Sequence, residues 1–298
     1  MRRDIPHEPV IRRSILTRTS SARRSACIAL IVACLFGSGS TALAAVPTAV
    51  PPVPPAASPA GAKPAWGVQA PQAPASAGPL LNQAISTFQT MTATRYDHAY
   101  TINPTSGIYY WDCIGFVNWA LGQATPNAHA AFHTAMNVPR GSGHVGLWAQ
   151  FLSGDPGPAW QRVPSVTGLT GGEVMILPGE IVNGGQIVYG SAPGGVHYPG
   201  HATIVAGPAL PLSDGSYAIF VYDSTALPGH GKWDSRYTDP RAQPLPDTTR
   251  KSGTGFGTMR VTVDANGAPT AAYWSASTKR PISFQGQPVV PIFSRPLN

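Results

Sequence analysis

At 298 residues and a formal net charge of +7, the chain has room for two domains, but the composition of its first quarter is not that of a folded unit. The charge is concentrated there as well. Residues 1–45 supply seven of the 20 Lys+Arg and two of the 13 Asp+Glu, which leaves 13 bases against 11 acids, or +2, for everything that follows. A body so close to neutral has no electrostatic footprint for nucleic acid or an anionic membrane surface, and neither is expected as a partner.

In chain order, seven arginines precede an apolar run from Ala26 to Phe36, and small residues follow through Ala42-Leu43-Ala44-Ala45. Basic start, short apolar stretch and small-residue end are the pattern of a secretory signal peptide over residues 1–45, cleaved near Ala44 or Ala45. The run is too short for a transmembrane helix, so no transmembrane segment is expected in the mature chain, and the product is expected in the periplasm or outside the cell. Ile31-Val32-Ala33-Cys34 also has the form of a lipoprotein processing site, which makes lipid anchoring at Cys34 the alternative. Residues 46–79 are almost all Ala, Pro, Ser, Gly and Val, cannot bury enough surface to fold, and read as a disordered linker.

Residues 80–298 have globular composition and form the expected domain. Leu81, Ala84, Ile85 and Phe88 have helical spacing, giving a first helix to about Ala93. Thr101 to Ser106 reads as a loop. After Cys113, the residues Phe116, Val117, Ala120 and Leu121 fall on one helical face, with Gly122 as a stop. Further helices are expected over about Asn127–Met136 and Val145–Leu152. Short strands follow: Glu173–Leu177, a turn at Pro178-Gly179, Ala202–Val205, and Ser216–Tyr222 beyond a hairpin loop at Gly207–Gly215. Thr258–Val263 and Ala271–Trp274 flank Asn266-Gly267, a strong hairpin signal. Helices first and an antiparallel sheet after them define an α+β class.

Cysteine usage directs attention to one residue. Cys27 and Cys34 lie in the signal, so Cys113 remains alone after export and cannot close an internal disulfide. It stands where a polar loop gives way to an apolar helix, and unpaired N–H groups at a helix N-terminus stabilise a thiolate. Such a nucleophile needs a base and a group that orients the base. His201 opens an apolar strand, and Asp223 closes the next one across the hairpin, so both reach the same end of the sheet.

Three stretches then occur in a telling order: Asp112-Cys113-Ile114-Gly115-Phe116-Val117, Leu177-Pro178-Gly179-Glu180-Ile181 and Gly200-His201-Ala202-Thr203-Ile204-Val205. In this they resemble the NlpC/P60 superfamily of cysteine peptidases and amidases, over roughly Tyr96 to Thr225. The resemblance implies a papain-like core, with N-terminal helices packed on a small antiparallel β-sheet. It implies Cys113 as nucleophile, His201 as base, Asp223 as orienting residue, and peptidoglycan or a related peptide as substrate. No cofactor or metal belongs to that mechanism. It also places a tyrosine upstream of the cysteine, Tyr110 or Tyr96, and the N–H of Cys113 at an oxyanion site. Ile114 departs from the family's usual serine, and its side chain is expected near the site.

Around this core, Asp112 is expected to cap the cysteine helix, Trp111 to be mainly core or, beside the cysteine, to wall the cleft, and His230 to line it or to sit in a solvated loop. His129 and His133 stand four apart without the glutamate of a zinc-peptidase helix, and Gly253-Thr254-Gly255-Phe256-Gly257 reads as turn glycine. The competing readings are a non-catalytic envelope-binding protein that retains the fold, and a zinc amidase built on His197, His201 and Asp223.

Overall fold

Residues 78–139, 144–183, 186–189, 200–226, 228–284 and 286–297 are described by the structure, a computed structural model. The expected signal peptide, Cys34, the linker as far as residue 77, and His197 lie outside the described residues. Among those described are four α-helices: α1 (Pro79–Thr90), α2 (Cys113–Ala124), α3 (Pro126–Met136) and α4 (Val145–Ser153). Pro79, expected in the linker, is the first residue of α1, where its fixed φ and missing N–H cost nothing. The helix buries Leu80, Leu81, Ala84 and Phe88.

Helix α1 ends before Ala93 because Ala93–Arg95 is already strand β1, which pairs in parallel with β3 (Ile108–Tyr110). Strand β2 (Thr101–Asn103) lies on the other side of β3, so part of the stretch expected as loop is strand. Three-residue strands are too short to display an alternating pattern, and pairing alone defines them.

The main sheet is antiparallel throughout. Its members in chain order are β4 (Trp160–Arg162), β5 (Val174–Leu177), β8 (His201–Val205), β9 (Leu210–Pro211), β10 (Tyr217–Thr225), β11 (Gly253–Val263), β12 (Pro269–Tyr273) and β15 (Ile292–Pro296). Two small hairpins stand apart, β6 (Glu180–Asn183) with β7 (Gln186–Tyr189), and β13 (Ser283–Phe284) with β14 (Gln287–Pro288). Across the sheet the order is β12-β11-β10-β8-β5-β15-β4, with β9 paired to β10. The C-terminal strand β15 thus inserts between β5 and β4, a placement that no local signal announces. The hairpins expected at Gly207–Gly215 and Asn266-Gly267 both form, the second with Gly267 at φ 78°.

Both faces of this sheet are covered. The helices pack on one face through Phe116, Val117, Leu121, Trp148, Ile176, Ile204 and Tyr222. A second apolar layer, with Val166, Leu169, Leu177, Val205, Val221 and Met259, fills the other face. Strand β8 is consequently buried at all five positions, as a strand covered on both sides must be.

Candidate active site

Helix α2 is buried on nearly every side, from Cys113 through Leu121, so its position is set by packing rather than by its own propensity. Its first turn is anchored by the two residues that precede it. The carboxylate of Asp112 accepts the Gly115 N–H at 2.7 Å, the expected cap, and also the Tyr100 hydroxyl at 2.8 Å, while His98 Nδ1 lies 3.0 Å from its second oxygen. A Cβ at Gly115 would stand 2.7 Å from Cζ of Tyr100, so glycine is what lets that ring close over the cap. Trp111 Nε1 donates to Thr254 Oγ1 on β11 at 2.7 Å, and Ser224 Oγ on β10 donates to the Trp111 carbonyl at 2.9 Å. These two bonds pin the start of α2 to the sheet.

Strand pairing then creates the opening for the thiol. Along β8 the N–H of Val205 bonds to Glu173 on the β5 side, and that of Ala206 bonds to Phe220 on the β10 side. By alternation, Ala202 directs its N–H toward β10. Strand β10, however, pairs with β8 only at Val221–Val205 and Tyr222–Ile204. Beyond that point the strands part, and the sulfur of Cys113 takes the Ala202 N–H in place of a strand carbonyl. The nucleophile candidate is thereby held against the residue that follows His201.

His201 shares its register position with Leu177 and so projects into the second layer, as does Asp223 from β10. His201 Nε2 lies 2.7 Å from Asp223 Oδ2. Because an ionised carboxylate only accepts, this nitrogen carries a proton, and in the neutral ring Nδ1 is the nitrogen with the lone pair. The edge of Trp274 packs on the imidazole, with ring centroids 5.1 Å apart.

Asp223 is fully buried and holds three basic side chains. Arg236 meets its Oδ1, and His201 and His230 both meet its Oδ2, the latter at 3.0 Å. Arg236, also fully buried, spends its remaining donors on Asp234 (3.1 and 3.2 Å), the Gly253 carbonyl (2.6 Å) and the Asp223 carbonyl (2.8 Å). Such saturation is required, since a buried guanidinium without partners costs several kcal/mol, on the order of 3–5 when one partner is removed. Burial by itself pushes the Asp223 carboxyl up, but the charges of Arg236 and His230 and the two histidine hydrogen bonds outweigh it and hold the group well below the usual carboxylate range. For His230 the sense is reversed. Burial pulls it down, and Asp223 and Asp234 more than compensate, raising it above ordinary histidine.

The thiol departs from the expectation of a stabilised thiolate. Cys113 is 6% exposed, and burial, then the neighbouring Asp112 charge, push its pKa up; the N–H groups of Ala202 and Ile114 work the other way without prevailing. The cap that anchors the helix thus places a negative charge beside the sulfur. At rest the site holds a neutral thiol.

Of the expected site residues, His201 and Asp223 come together, while Cys113 stands on the helical side of the sheet within range of the Asp223 charge. Tyr110 does not: its hydroxyl donates to Gln243 at 3.0 Å and Arg95 covers its ring. Tyr96, the other tyrosine considered, is half-buried and lies in the electrostatic field of Cys113, Asp112 and Asp223. Trp111 is completely buried against Tyr109, Phe116 and Trp119, a core side chain rather than a cleft wall. His230 is neither cleft lining nor solvated loop but a buried partner of Asp223. Ile114 is buried in the helical core, in the same cluster as Cys113. His129 and His133 bond to each other at 2.9 Å, and no group of three or more His, Cys, Asp or Glu placed to hold a metal occurs among the described residues.

Arg236, Asp234 and Trp274 were not anticipated. One signal did exist: Gly255 and Gly257 belong to strand β11, not to a turn, and alternate glycines in a strand mark bulky neighbours on one face. A Cβ at Gly255 would lie 2.6 Å from Cζ of Arg236, and one at Gly257 would lie 2.5 Å from Cβ of His230 and closer still to its ring.

Searched against family models, curated proteins and solved structures, the chain has no match. Among the described residues, no helix is long and apolar enough to cross a membrane.

Proposed function

We propose that this chain is an exported cysteine hydrolase that cleaves amide bonds, with the stem peptides of peptidoglycan as its substrate class. The observation that carries the reading is the setting of Cys113. It heads a helix and accepts the N–H of the residue after His201, whose Nε2 is bound by a buried carboxylate. The three sequence stretches that resemble the NlpC/P60 superfamily, whose members have a papain-like core, support the same reading.

In this mechanism Asp223 keeps His201 in the Nε2–H tautomer, and Nδ1 takes the thiol proton as the sulfur attacks the substrate carbonyl. A resting thiol calls for this general-base route rather than a preformed ion pair. The oxyanion forms at the N-terminus of α2, where the Cys113 N–H is outside the helical ladder. The His201 imidazolium then protonates the leaving amine, and a water activated by the same nitrogen releases the acyl group from sulfur. Tyr96 stands beside the thiol as a hydroxyl donor to the substrate.

The test is digestion of purified peptidoglycan with the mature chain, followed by mass spectrometry of the released peptides. New amine termini are expected with the natural protein and are lost with Cys113→Ala and Cys113→Ser; full activity in Cys113→Ala refutes the assignment. The burial of the thiol favours the rival, a non-catalytic envelope-binding protein. That reading predicts undiminished wall binding by Cys113→Ala and no new amines from any variant.

A further inference from the structure

Two imidazoles meet the same oxygen of Asp223, and one of them, His201, belongs to the proposed catalytic unit. The other, His230, has both ring nitrogens engaged: Nε2 with Asp223 Oδ2 at 3.0 Å, and Nδ1 with the Trp274 carbonyl at 3.1 Å. A main-chain carbonyl accepts and never donates. Asp223 is ionised, because its other oxygen carries the Arg236 guanidinium. Both nitrogens of His230 therefore face acceptors, and a neutral imidazole has only one N–H to give.

We propose that His230 is a constitutively protonated, solvent-excluded imidazolium that acts as a positioning residue for the Cys113–His201–Asp223 unit, balancing the charge of Asp223 and fixing the carboxylate toward His201. The charge inventory supports it. The ionisable groups around His230 are Asp223 from β10, His201 from β8, which meets the same carboxylate oxygen, and Asp234 and Arg236 from the turns that follow His230. Strand β11 brings Gly257 against the ring, and the Trp274 carbonyl, just past β12, meets Nδ1. Two carboxylates and one guanidinium leave one negative charge, and a protonated His230 closes the balance. The stabilisation also reaches the thiol, since the Asp223 charge is one of those that disfavour a thiolate at Cys113.

The inference rests on reading Cys113, His201 and Asp223 as one catalytic unit, but neither test uses a substrate. Imidazole ¹⁵N NMR of the intact mature chain at pH 7.5 is expected to show both nitrogens of His230 protonated, and His201 as the Nε2–H tautomer. A single neutral tautomer for His230 overturns the proposal without recourse to any variant. His230→Gln keeps one N–H donor and removes the charge, so alkylation of Cys113 by iodoacetamide is expected to slow roughly threefold at pH 8, with its pH profile displaced to higher pH. A purely structural role would lower stability and leave that profile in place. A folded His230→Gln variant with an unmoved profile overturns the positioning role. If no amide is cleaved while His230 proves doubly protonated, the hydrolase reading fails and this one stands.

Discussion

Gly257→Ala tests the buried cluster with a single methyl group. In β11 the backbone at 257 is ordinary strand, so alanine alone is expected to gain about 0.5–1 kcal/mol over glycine from reduced chain entropy. The added methyl, however, stands 2.5 Å from Cβ of His230 and overlaps its ring, and the imidazole is walled in by Asp223 and Trp274. Overpacking costs about 1–3 kcal/mol. A displaced His230 leaves a buried carboxylate oxygen and a carbonyl short of a partner, a further loss of about 1–3 kcal/mol. The net expectation is a loss of about 3 kcal/mol, read as the change in unfolding free energy from urea titrations followed by tryptophan fluorescence. Gly207→Ala is the matched control, because a Cβ there meets nothing within 4 Å. It is expected to stay within about 0.5 kcal/mol of the natural chain. If the two variants are equally stable, His230 is not wedged between β11 and Asp223, and the cluster as described is wrong.

Asp112→Asn keeps a side chain competent to cap α2 but removes the charge beside Cys113; thiol alkylation at pH 8 should rise roughly three- to tenfold, and an unchanged rate would show that Asp112 does not set the state of the sulfur. Stability should also follow pH in a definite sense. The depressed Asp223 contributes fully above about pH 4 and loses that contribution as pH falls, whereas the elevated His230 contributes fully below about pH 6.5 and loses it as pH rises. The urea midpoint is therefore expected to be highest between those limits, and a midpoint that climbs steadily from pH 6 to 8.5 would contradict the cluster. Ile114→Ser, the substitution toward the usual family residue, should cost about 3 kcal/mol because the isoleucine is core, and a variant of natural stability would relocate that side chain to the cleft.

Helix α2, the cap at Asp112 and the strand ends at His201 and Asp223 were legible in the sequence because each depends on neighbours within a few residues. Apolar spacing of three and four defines a helix face, a polar residue before it supplies a cap, and two apolar runs around a glycine-bearing loop make a hairpin. From these local rules came the α+β class, the antiparallel pairing of β8 with β10, and the convergence of a histidine and an aspartate at one end. The lone thiol at a helix start was equally plain.

What tertiary structure decided is everything that depends on long-range placement. The parting of β8 from β10 beyond Ile204 is a matter of register, and it is what opens the Ala202 N–H to Cys113. Arg236 and Asp234 come from turns outside the sheet, and the bond of Arg236 to Asp223 spans 13 residues with no periodic signature. Burial, invisible in a residue name, turned the helix-start thiolate into a thiol, and the carboxylates of Asp223 and Asp234 made a loop histidine a buried cation. The sequence by itself determined which side chains could do the chemistry; packing determined their charge, because the cost of an ion depends on what has replaced the water around it.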